Sequence, residues 1–161
     1  MVPILCIVGK SGLGKTTLLE RLVPELARRG VRVAVVKHTD HRVEWDRPGT
    51  DTCRLQQAGS RMVAISGPGG LALTRQDGRE VTLESIAGLL AGQCDILLVE
   101  GYKRSSHPRI EVCRGGGPLS DVEGLLAVVS DDALDVACPV FSTTGVAALA
   151  DLIQARFPPA R

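Results

Sequence analysis

The stretch that decides the fold is ILCIVGKSGLGKTT, residues 4–17. Five apolar residues run directly into a segment of glycine, lysine and threonine. Beyond it, Leu18, Leu19, Leu22, Val23 and Leu26 recur at the spacing of one helical face. Gly9-Lys10-Ser11-Gly12-Leu13-Gly14-Lys15-Thr16 satisfies the pattern G-x-x-x-x-G-K-[ST]. The chemistry is that of a phosphate cradle. Glycines let successive backbone N–H groups turn inward, and a helix start adds unpaired N–H groups and the positive end of its dipole. Lys15 would reach the β- and γ-phosphates, and Thr16 would offer its hydroxyl to Mg²⁺. The setting between a buried strand and an amphipathic helix is the one this motif requires.

Working outward, the helix is expected over residues 16–29, interrupted and kinked at Pro24 and stopped by Gly30. VRVAVVKH (31–38) follows as a second strand, giving a βαβ unit and hence a parallel pair. After the polar stretch 39–51, Asp51 would cap a short helix ending at Gly59. RMVAIS and LALTR flank GPGG (67–70) and read as an antiparallel hairpin. A short helix is expected over 83–91, and DILLVEG (95–101), apolar on both faces, reads as a central strand. RIEVCR (109–114) alternates and so reads as a more exposed strand. LLAVVSDD (125–132) and CPVFS (138–142) read as further strands, and 145–157 as a closing amphipathic helix. The pattern predicts a single P-loop nucleotide-binding domain over 1–161, an α/β three-layer sandwich of the P-loop NTPase type. Its sheet is mainly parallel with helices on both faces, and the hairpin at about 61–75 is an insertion.

Composition narrows the function. Aromatics are only Trp45, Tyr102, Phe141 and Phe157, which argues against base-stacking platforms for nucleic acid. The net charge of +1 gives no electrostatic reason to expect a nucleic-acid or membrane partner. The apolar run before Gly9 is too short for a signal peptide or membrane span, so a cytoplasmic location is expected. The five cysteines are scattered without zinc spacing and read as free thiols.

A metal held by Thr16 needs a carboxylate from a neighbouring strand end, and Glu100, closing ILLVE before Gly101, is the best placed. Asp40 is a rival. Lys37, His38, Asp40 and His41 cluster after the second strand, reading either as a polar rim or as substrate and phosphate contacts. His38, Asp40 and Lys10 are the candidates for orienting an attacking water or stabilising its transition state. Asp131, at the end of LLAVV, would accept from guanine N1–H and N2–H₂ or simply cap a turn; the [NT]-K-x-D signature is absent.

The blocks IVGKSGLGKTTLLERLVPEL, VVKHTDH, DRPGTDTCRLQQAGS, DILLVEGYK and AVVSD together resemble the MobB family of molybdopterin-guanine dinucleotide biosynthesis adapter proteins. The resemblance runs from the first strand to about residue 132. It implies GTP and Mg²⁺ binding, weak GTP hydrolysis and a homodimer. It also implies assistance to the guanylyltransferase that joins GMP to molybdopterin, with molybdopterin as a possible ligand and molybdoenzymes as further partners. Carried over by position, Gly12, Gly14, Lys15, Thr16 and Thr17 would hold phosphates; Gly9, Ser11 and Leu13 complete the loop. Lys37, His38, Asp46, Pro48, Gly49 and Asp51 match a second block, and Glu100, Gly101 and Lys103 a third. Asp40 stands where the family often has histidine. Lys10 resembles the signature lysine of dimeric deviant Walker A ATPases. A dimeric ATPase switch and a small-metabolite kinase are the alternative readings, although Arg61, Arg75 and Arg79 form no clustered lid.

Overall fold

The computed structural model describes residues 1–39, 41, 46–75, 78, 80–116 and 124–159. Asp40 and Arg79 lie outside them. The chain divides into two compact units, Met1–His38 with Leu83–Arg161, and Thr39–Thr82.

The first unit is built on a wholly parallel six-stranded sheet. Its strands are β1 (Ile4–Val8), β2 (Val33–Lys37), β5 (Ile96–Glu100), β6 (Arg109–Val112), β7 (Leu125–Val129) and β8 (Val140–Phe141), in the order β2-β5-β1-β6-β7-β8. Strands covered on both faces need side chains apolar at every position, and ILCIV and ILLV supply them: Leu5, Cys6, Ile7, Leu97, Leu98 and Val99 are fully buried. Helices α1 (Lys15–Arg28) and α4 (Val146–Arg156) cover one face through Leu18, Leu22, Leu26, Leu149 and Ile153. Helix α3 (Leu83–Leu89) covers the other through Leu83 and Ala87. This is the expected three-layer α/β sandwich.

Two local expectations are corrected. Helix α1 is not interrupted at Pro24 but runs through it for 14 residues. Pro24 is exposed, as is Glu20, the residue whose carbonyl an N–H at position 24 would have bonded. Strand β6 is not exposed. It lies between β1 and β7, with Ile110, Glu111 and Val112 all buried. A single glutamate in mid-strand imitates the alternation of a solvated face; here the buried Glu111 keeps a polar or electrostatic partner.

The second unit holds α2 (Asp51–Gln57) and the antiparallel pair β3 (Met62–Gly67) and β4 (Gly70–Arg75), the expected hairpin. The cap of α2 is Thr50, not Asp51: its hydroxyl accepts from the Cys53 N–H at 3.3 Å. Asp51 is the first helical residue and pairs with Arg54 instead. Asp46 organises this entry, accepting from the hydroxyls of Thr50 at 2.7 Å and of Thr52, and from the Arg47 N–H at 2.8 Å. These bonds hold its carboxyl below the usual range, that from Thr52 most strongly. Gln56 of α2 donates to Thr74 of β4 at 2.5 Å.

Candidate functional site

A parallel sheet brings the carboxyl ends of its strands to one edge, where ligands of open α/β folds bind. Register makes this concrete: Ile7 and Lys37 both pair with Glu100. The loop 9–14 therefore leaves β1 beside the ends of β2 and β5. Gly9 has φ 139, and a Cβ there would lie 2.3 Å from the Val112 carbonyl oxygen, so only glycine lets the loop leave the sheet this closely. Helix α1 starts behind Gly14, which contributes no side-chain cap. Its first N–H groups are left for a ligand or solvent.

The predicted residues converge. Thr16 donates its hydroxyl to Glu100 Oε2 at 2.9 Å, although the two are 84 positions apart in sequence. Lys37 Nζ lies 3.7 Å from Glu100 Oε1. Lys15 Nζ donates to the Lys10 carbonyl at 2.9 Å, folding back over the loop that it would otherwise reach across. Burial pushes the Lys15 ammonium below its ordinary range; Glu100 opposes this, while Lys103 and Lys37 add to it. The Lys15 ammonium thus feels one carboxylate and two further ammonium groups, a balance that favours a polyanion.

Beside Glu100 the backbone is tightly specified. The Gly101 N–H donates to the Ile7 carbonyl at 3.0 Å and the His38 N–H to the Glu100 carbonyl at 2.9 Å. A Cβ at Gly101 (φ 108) would meet the His38 Cβ at 3.1 Å. Tyr102 follows with φ 55, a left-handed conformation uncommon for an aromatic residue. Its ring packs on His38 with centroids 4.1 Å apart.

A second feature lies across β1 from Glu100. A cavity of about 130 Å³ opens between Gly14, Thr17 and Arg21 of the loop and α1, Arg114 and Val129 at the ends of β6 and β7, and Thr143. Asp131 fastens its wall: Oδ1 accepts from the Thr143 N–H at 2.8 Å and Oδ2 from the Thr143 hydroxyl at 2.7 Å. These bonds, the backbone one first, hold the Asp131 carboxyl below the usual range, with Arg114 assisting. Sequence reading singled out Asp131 but not Arg21, Arg114 or Thr143. Arg21 stands one helical turn beyond Thr17, a spacing that would have found it.

Of the predicted residues, the loop 9–14, Lys15, Thr16, Thr17, Lys37, His38, Glu100, Gly101, Lys103 and Asp131 all lie at the carboxyl edge of the first unit. His41, Asp46, Pro48, Gly49 and Asp51 belong to the second.

Sheet order, loop and strand-end residues define a P-loop NTPase-type protein. The chain belongs to the MobB family, "Molybdopterin guanine dinucleotide synthesis protein B", whose family model matches residues 4–131. It is 35% identical over 157 residues to the molybdopterin-guanine dinucleotide biosynthesis adapter protein of Haemophilus influenzae, covering 95% of this chain and 88% of the relative. To the Escherichia coli adapter protein it is 33% identical over 161 residues, covering 95% and 92%. Among solved structures it is similar to Bacillus subtilis MobB, with a TM-score of 0.73 at 27% identity and 96% and 98% coverage. A crystal structure of molybdopterin-guanine biosynthesis protein B gives 0.71 at 30% identity, with the same coverage.

Proposed function

We propose that this protein is a GTP-binding adapter in molybdenum cofactor biosynthesis, assisting the attachment of GMP to molybdopterin. The observation that carries the reading is the convergence of Thr16 and Glu100 at 2.9 Å, at the end of the glycine-rich loop that precedes α1. Family membership and the names of the relatives support the biosynthetic role.

The residues fit Mg²⁺. Thr16 and Glu100 supply two hard oxygen donors, and no group of three or more His, Cys, Asp or Glu residues among those described forms a dedicated metal cage. Mg²⁺ commonly takes one or two protein ligands and completes its shell with water and phosphate oxygens. When bound, it would neutralise phosphate charge. Lys15 and the amides of residues 12–17 would hold the triphosphate, and Lys37 and Lys103 would balance its terminal charge.

Hydrolysis is slow in this reading. Phosphoryl transfer to water needs an oriented nucleophile and a charge on the transition state. Of the described candidates, His38 packs its ring on Tyr102 and Lys10 is exposed on the loop. The protein therefore acts mainly by binding. It works in the cytoplasm as a homodimer, with the guanylyltransferase and molybdoenzymes as partners and molybdopterin as a ligand.

Calorimetric titration with GTP and with ATP, each with and without Mg²⁺, tests the proposal. The wild type should bind GTP, more tightly with Mg²⁺, and Lys15→Ala should lose at least about tenfold in affinity, as expected on removing a charge-assisted contact. A wild type that gives no heat with GTP, or prefers ATP, overturns it.

A further inference from the structure

We infer that the cavity between α1 and the ends of β6 and β7 takes the heterocycle of the bound nucleotide, and that Arg21 and Arg114 read it, Asp131 serving to position Thr143. The inference rests on the nucleotide reading above and adds to it a polarity and a base-recognition chemistry.

Polarity follows from strand order. Glu100 lies on the β5 side of β1, and the cavity lies on the β6–β7 side. Gly14 and Thr17 belong both to the phosphate loop region and to the cavity wall. A nucleotide whose metal-bearing end sits at Thr16 and Glu100 thus extends its other end across β1 into the cavity. At about 130 Å³ the cavity is well below the roughly 300–1,000 Å³ of a pocket that encloses a whole ligand, so it would take only one part of a nucleotide.

The lining states the chemistry. Leu13, Leu18, Val112 and Val129 give apolar surface for ring faces, and Arg21 and Arg114 are the charged groups. A guanidinium bonds the adjacent O6 and N7 acceptors of guanine in a bidentate manner, whereas adenine presents a donor at position 6. Arg21 now donates to the Thr143 carbonyl at 3.4 Å, a long bond readily exchanged. Asp131 is committed elsewhere: each of its oxygens accepts from Thr143. It ties the residues before α4 to the end of β7 and so shapes the cavity.

Base analogues separate the two ways of reading guanine. Inosine triphosphate keeps O6 and N7 but lacks the 2-amino group that a carboxylate would bind; 7-deaza-GTP lacks N7. Titration of the wild-type protein with Mg²⁺ and GTP, ATP, inosine triphosphate or 7-deaza-GTP should show inosine triphosphate within about twofold of GTP. ATP and 7-deaza-GTP should be weaker by roughly tenfold, the scale of one bidentate contact. Arg114→Ala and Arg21→Ala, both exposed positions, should reduce the GTP-to-ATP ratio, and Arg28→Ala should not. Inosine triphosphate binding as poorly as ATP, or both arginine variants keeping the wild-type ratio, overturns the inference while leaving nucleotide binding intact. Absence of binding by every nucleotide overturns the functional reading and this inference together.

Discussion

At the scale of single residues, the site depends on two positions where a side chain has no room. A Cβ at Gly9 would sit 2.3 Å from a backbone oxygen of β6 and adopt φ 139. Gly9→Ala should therefore destabilise the fold by about 2–6 kcal/mol, combining backbone strain with overpacking, as measured by urea unfolding. An unchanged midpoint would mean that the loop leaves β1 along another path. Lys15 sets a pH dependence. Burial lowers the pKa of its ammonium below that of an ordinary lysine, so between the folded and unfolded values the unfolded chain binds more protons and stability rises with pH. Polyanion binding runs the other way, because it needs the ammonium. Triphosphate affinity, titrated from about pH 7 to 10, should fall as pH rises through the lowered Lys15 value, earlier than an ordinary lysine would dictate. A Lys15→Ala variant that keeps the wild-type affinity and pH profile would remove Lys15 from the phosphate site.

At the scale of elements, α1 connects the loop to the core. Leu22 and Leu26 are fully buried against the sheet, and Arg29 beyond its end bonds Glu25, Asp151 and Gln154, tying α1 to α4. Leu22→Ala should cost about 2–5 kcal/mol in chemical denaturation, the range for emptying a packed leucine site. Much of this scale could be read from sequence. Residues 4–17 specified a strand, a cradle and a helix because local backbone demands and hydrophobic period agree there. ILLV (96–99) was legible as central because every position is apolar. What was not legible came from tertiary packing. Glu111 is polar in sequence but buried, since neighbouring strands flank β6 on both edges. The α2 cap fell to Thr50 because Asp46 already organises that hydroxyl. The cavity was hidden because Arg21, Arg114 and Thr143 stand on three separate segments that only the fold unites.

At the scale of the whole molecule, carboxylates held by cationic, N–H and hydroxyl donors give the fold a dependence on acid. Asp95 receives the Arg32 side chain at 2.7 Å and the Arg32 N–H at 2.8 Å, and these bonds, the side chain first, lower its pKa. Glu25 is lowered by Arg28 and then Arg29, and Asp131 by Thr143. A depressed carboxylate contributes stability that is complete above its unfolded value and lost as pH falls through the folded one. Stability should therefore decline below about pH 4, and Asp95→Asn should make that decline shallower in urea titrations at stepped pH.

Assembly is the last question at this scale, and the hairpin of the second unit frames it. On one face Met62, Leu71 and Leu73 are 48%, 71% and 49% exposed, and Ile65 on the other is 56% exposed. A two-stranded sheet is marginal alone, and its open edges can accept another strand. We take a second copy of the chain as the occupant. Ile65→Lys with Leu73→Lys should convert the protein to a monomer in sedimentation velocity, while Arg28→Ala leaves its state unchanged. A doubly substituted protein that still sediments as a dimer would place the homodimer contact elsewhere on the molecule, and a monomeric wild type would remove the dimer altogether.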